Sequence, residues 1–102
     1  MSWRKYHDGA TLGLQGSESG TILIDEEHAD GARITLERGG SSAPFAITCG
    51  VDGLFFHTCF LSEQDEAEQQ LIGMKASIEA ILEAPRMDID RLVRAFLAEF
   101  PI

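Results

Sequence analysis

Leu54-Phe55-Phe56-His57-Thr58-Cys59-Phe60-Leu61 runs directly into Ser62-Glu63-Gln64-Asp65-Glu66-Ala67, and the fold class turns on that junction. Before it, aromatic and apolar residues crowd an eight-residue run, as a strand with both faces covered would require. After it the period changes. Ala67, Leu71, Met74, Ile78 and Ile81 recur at spacings of three and four, which is one apolar stripe of a helix. Ser62 is placed to cap that helix, and Asp65 three residues on completes a Ser-x-x-acid capping pattern. Glu63, Asp65, Glu66 and Glu68 suit the positive end of its dipole. Pro85 stops it. A second helix is predicted from Asp88 to Phe100, with Ile89, Leu92, Val93, Phe96, Leu97 and Phe100 on its inward side.

Upstream of the junction the pattern is that of strands. Thr21–Glu27 sets Ile22 and Ile24 on one face, with Leu23, Asp25 and Glu27 on the other. Ala32–Glu37 alternates in the same way, Ile34 and Leu36 against Arg33, Thr35 and Glu37. A three-residue loop, Ala29-Asp30-Gly31, would set Ile24 against Leu36, Glu26 against Ile34 and Glu27 against Arg33. Gly31 would supply the left-handed residue. A two-residue loop would put Ile34 against Glu27, so the longer loop is expected.

The next hairpin joins Pro44–Cys49 to Leu54–Leu61 through Val51-Asp52-Gly53. A two-residue Asp52-Gly53 turn, the register taken here as the expectation, groups Phe45, Ile47, Cys49, Leu54, Phe56 and Phe60. A three-residue loop would group Phe45, Ile47 and Cys49 with Phe55, His57 and Cys59 instead. Either way the second face of the last strand is apolar and needs a cover, from the N-terminal segment or from another subunit.

Residues 1–20 are the least patterned. Trp3 to His7 form a basic-aromatic cluster, Ala10–Gln15 is a candidate short strand, and Gly16–Gly20 reads as a loop. Strands followed by helices argue for an α+β fold. The expectation is a two-layer domain spanning residues 1–102. An arm or short strand (1–20) precedes an antiparallel meander of four to five strands (21–61), and two C-terminal helices (62–100) pack on one face.

Charge narrows the partners. Seventeen acidic and eight basic side chains leave a net charge of −9, divided almost evenly between residues 1–61 and 62–102. Such a surface repels phosphate and anionic lipid, so nucleic acid and membranes are not expected, whereas a basic protein or peptide is allowed. No apolar run approaches the ~20 residues of a membrane span, and Met1–Asp8 lacks the apolar stretch of a signal peptide. A soluble, cytoplasmic protein is expected.

No constellation of catalytic residues is complete. Cys49 and Cys59 fall roughly 10–13 Å apart along the strands in either register, too far for a disulfide, and buried cysteine serves as a small hydrophobe. His57 and Cys59 share a strand face but lack the third group of a nucleophilic triad and the four ligands of a closed zinc site. Glu26 and His28, in the polar run Asp25–Asp30, are candidate metal ligands without a second cluster to complete a set. Gly13, Gly16 and Gly20 are followed by a strand and no lysine, which excludes a phosphate loop. No cofactor is implied.

The function expected from these residues is a non-enzymatic protein-interaction domain, homodimeric, with an acidic surface suited to a basic partner. Its contact face would carry Phe55, His57, Cys59 and Thr48, with Phe56 and Phe60 replacing the first three if the other register holds. The alternative is a small-molecule-binding protein or minor enzyme with a pocket between sheet and helices, anchored by His57, Cys59 and Thr48.

Overall fold

The computed structural model describes residues 3–102. Five strands, β1 (Trp3–Lys5), β2 (Thr21–His28), β3 (Ala32–Arg38), β4 (Phe45–Val51) and β5 (Phe55–Leu61), form one antiparallel meander in chain order. Two helices follow, α1 (Gln64–Glu83) and α2 (Arg86–Glu99), and both lie on the same side of the sheet. The α+β architecture expected from the junction at Ser62 is therefore present, with five strands. Among the described residues, no helix is long and apolar enough to cross a membrane.

The core lies between sheet and helices. Ile34, Leu36, Ile47, Cys49 and Cys59 rise from the strands to meet Ala67, Leu71, Met74, Ile78 and Ile81, the stripe of α1, with Phe96 and Phe100 completing the layer. Full burial of such side chains stabilises by about 1.5–3 kcal/mol each.

The β2–β3 hairpin closes as its charge and hydrophobic pattern require. His28 pairs with Ala32 across Ala29-Asp30-Gly31, and Ile24↔Leu36, Glu26↔Ile34 and Glu27↔Arg33 follow. Gly31 is left-handed (φ 104°), and its N–H donates to the His28 carbonyl at 3.0 Å. Nearer the start of β2 the alternation breaks. The register shifts between Ile22 and Ile24, so Leu23 is an extra residue and Ile22 pairs with Glu37 on the face away from the helices. Ile22 and Ile24 thus lie on opposite faces, contrary to a regular strand.

The β4–β5 hairpin also departs from expectation. Val51 pairs with Phe55, Cys49 with His57 and Ile47 with Cys59, so Asp52-Gly53-Leu54 form a three-residue loop. The Leu54 N–H donates to the Val51 carbonyl at 2.9 Å. One added loop residue reverses the parity of the whole of β5. Phe55, His57 and Cys59 join the core side, and Phe56, Thr58 and Phe60 take the other.

The helix ends differ by a residue or two. Glu63, with extended backbone, precedes α1, and no side chain caps it; Ser62 stands one position too early for its box with Asp65. Pro85 both ends α1 and opens α2. Ala84 is held extended before the proline ring (ψ 148°), and helical geometry resumes at Arg86 rather than Asp88.

The N-terminal segment covers part of the other sheet face. β1 pairs with the end of β2, Trp3 opposite His28. Residues 10–15 form turns rather than a strand, and only Gln15 bridges to Thr21. Arg33 lies under the Tyr6 ring at 3.6 Å. Buried Glu37 accepts the N–H groups of Glu18 (3.2 Å) and Gly20 (2.9 Å), which fastens residues 16–20 over β3.

Candidate interaction surface on the last strand

β5 has a sealed face and an open one. On the sealed face Phe55 packs on Phe96, ring centroids 5.1 Å apart, and His57 meets the same ring edge-on at 6.3 Å. The carbonyl of Phe100, just past the end of α2, accepts from both His57 Nε2 (2.6 Å) and Cys59 Sγ (3.2 Å). A carbonyl has no proton to give, so Nε2 is the protonated nitrogen of His57.

This arrangement engages both side chains that the sequence singled out for chemistry, His57 and Cys59, with the end of α2. Burial pushes the Cys59 thiol up despite an opposing hydrogen bond with Gln70, and burial, then the neighbouring Cys59, pushes Cys49 up to about 12. Nucleophilic attack requires the thiolate, so both remain inert near neutral pH. Both cysteines are free, and in this register they are diagonal neighbours, closer than the sequence-based registers placed them. The pocket imagined between sheet and helices is not formed around His57, Cys59 and Thr48, because Thr48 points to the opposite face, its hydroxyl 3.2 Å from that of Thr58.

Glu26 and His28 share a face at the other end of the sheet, and each has a partner. Lys75 of α1 forms an ion pair with Glu26, with its ammonium also 5.4 Å from the Trp3 ring. His28 stands edge-on to Trp3 and accepts the Asp30 N–H at Nδ1, 3.0 Å away. No group of three or more potential metal ligands is present among the described residues.

The open face carries the features that sequence reasoning missed. Asp25, its side chain fully buried, binds Arg33 in a two-pronged pair (2.9 and 2.7 Å) and accepts the Thr11 hydroxyl at 2.8 Å. Asp25, foremost by hydrogen bonding, holds the Arg33 guanidinium above its ordinary pKa. The expected partner of Arg33, Glu27, is directly opposite in register but bonds Arg4 instead (2.9 Å). Beside this pair a groove of 540 Å³ runs over Ile22, Thr35, Thr48 and Gly50 to Phe56. Gly50 pairs with Phe56, and a methyl group at Gly50 would stand 3.3 Å from that ring, so the ring lies across bare backbone. A glycine inside an apolar strand was the one signal in the sequence for such a close approach.

The N-terminal cover stops short of β5. Phe56 is 74% exposed, and Thr58 and Phe60 are half-buried. The surface expected to make contacts is thus the one the alternative register assigned, Phe56 and Phe60, with Thr48 on the same side but buried. Compared with known proteins, the chain matches no family model, and no curated protein or solved structure matches it either.

Proposed function

We propose that this chain is a non-enzymatic protein-interaction domain that associates with itself and offers an acidic exterior to a basic partner. The observation that carries this reading is the aromatic open side of β5, where Phe56 is 74% exposed beside half-buried Phe60 and beyond the reach of the N-terminal cover. Aromatic residues are enriched at protein–protein interfaces, where their large apolar faces are buried. The inert thiols and the capped His57 argue against an enzyme built on β5. The basic partner is supported by charge. Glu63, just before α1, and Asp65, Glu66, Glu68 and Glu83 within it are exposed, and the one basic residue of α1, Lys75, is occupied by Glu26.

Native mass spectrometry over a range of protein concentrations tests the first half. A dimer that builds up with concentration is expected, and a monomer throughout would sink it. Titration with a lysine-rich peptide tests the second half: binding that weakens with added salt is expected, and no binding at low salt would remove the basic partner. A second reading, a small ligand in the 540 Å³ groove, rests on a volume within the usual range of ligand sites, about 300–1,000 Å³. An organic mass retained by the monomer in the same spectra would favour it.

A further inference from the structure

We infer that two copies join edge to edge through β5, antiparallel and centred on Thr58, so that two five-stranded sheets become one of ten strands. The inference rests on the self-association proposed above and names its surface and register.

β5 is the last strand of the sheet, and among the described residues no strand lies beyond it. Every second residue of such a strand turns its N–H and C=O outward, ready to pair. Its seven residues include no proline, no lysine and no other formal charge, and its ladder to β4 carries no bulge. A chain of net charge −9 repels its own copy, so a seam between copies is favoured where the chain is neutral. β5 is such a place.

The register follows from the two faces. Pairing must set open-face residues against open-face residues, because an odd slip would mismatch every side chain. Of the registers that satisfy this, the one centred on Thr58 pairs all seven residues. Phe56 then faces Phe60 of the second copy and Phe60 faces its Phe56, two aromatic cross-strand pairs on the open side. Phe55 faces Leu61, and His57 faces Cys59. Continued past the strand ends, the same register sets Leu54 against Ser62 and Glu63 against Gly53, so no like charges stand directly opposite each other.

Next to the strand, Leu54, Ile89 and Val93, together with Arg86 and Asp90, line a shallow hollow against α2 whose apolar part the same approach would help to cover. This adds to the area of a seven-residue strand, which is small beside the roughly 1,200–2,000 Å² of a stable interface.

The test uses the full chain with one cysteine added per variant, the native Cys49 and Cys59 being buried, under mild oxidation, with the unaltered chain as the control. Phe56→Cys mixed with Phe60→Cys should give a cross-linked heterodimer, and Thr58→Cys should cross-link to itself. Phe56→Cys alone should cross-link at least tenfold more slowly than the mixture. Phe56→Lys should weaken the dimer at least tenfold without shifting the denaturation midpoint measured at concentrations where the chain is monomeric, since that ring is mostly in solvent. Added salt should tighten the dimer, because it screens the repulsion between two acidic bodies. A wild-type dimer with no cross-link preference would overturn the edge and register while leaving self-association standing. A dimer that salt loosens would overturn the neutral seam. A wild-type monomer would remove both.

Discussion

β1 and β5 are both edge strands, and they end the sheet in opposite ways. β1 is three residues long and carries Arg4 and Lys5, with Arg4 tied to Glu27. β5 is seven residues long, uncharged and aromatic. Short length and positive charge are the usual protections against stray strand pairing, and β1 has both. β5 has neither, yet on the helix side it is packed by Phe96 and held by the Phe100 carbonyl. The difference teaches that protection on this sheet is selective: one margin is closed by the chain itself, and the other is finished on one face only.

The comparison can be broken most severely from the helix side of β5. Phe96→Ala removes the ring that covers Phe55 and His57 and should cost about 3–5 kcal/mol, read as a lower denaturant midpoint; a change under about 1 kcal/mol would mean that α2 does not hold β5. Arg33→Ala attacks the other margin, because Tyr6, the residue after β1, rests on Arg33. The variant also strands the buried Asp25 carboxylate. A fully buried pair broken in this way costs about 3–5 kcal/mol, but Arg33 is half in solvent, so about 2–3 kcal/mol is expected by the same measurement. Loosening should appear in residues 3–11, followed by hydrogen exchange, and not in β5.

Alkaline pH sharpens the contrast, since both thiols belong to the β4–β5 side. Their pKa values are raised above the ordinary 9.0 in the folded protein, Cys49 to about 12. A raised thiol contributes stability that is complete below the unfolded value and is lost as pH climbs toward the folded one. Unfolding free energy should therefore be unaffected by the thiols up to about pH 9. Above that it should fall by as much as about 1.4 kcal/mol per pH unit for each thiol. Cys49→Ala should flatten that slope, and an equal slope in the variant would assign it elsewhere. The smallest effect is at β1. Arg4→Ala should cost only about 0.2–1 kcal/mol, the usual worth of an exposed ion pair. Its informative readout is sedimentation: with Lys5→Thr added, the second margin loses its guard and species larger than a dimer should appear.

The layer order and helix stripes were legible because their periods are long and unambiguous. Ala67 to Ile81 keeps one spacing for four turns, and Pro85 marks its end. The β2–β3 loop was legible because the longer loop set Leu36 against Ile24 and Glu27 against Arg33, whereas the shorter one set both Ile34 and Leu36 against carboxylates. β5 offered no such contrast. Phe55 and Phe56 are equally apolar, as are Cys59 and Phe60, so hydrophobic pattern gave both parities the same score. The choice was made by Phe96 and Phe100, forty residues on, which no local reading of the hairpin contains. The bulge at Leu23 hid in the same way, inside the run Ile22-Leu23-Ile24. The contact surface inherited the ambiguity, and Thr48 was placed with His57 and Cys59 although the sheet separates them.

The carbonyl that joins α2 to β5 is main chain, and that has a consequence for how the protein can vary. His57 and Cys59 donate to an oxygen that every residue type at position 100 would supply. Replacing Phe100 changes the ring that packs there but leaves the acceptor in place. Point change can therefore delete a bonding atom of this latch only from the strand, at positions 57 and 59. From the helix it takes a shortened or shifted chain.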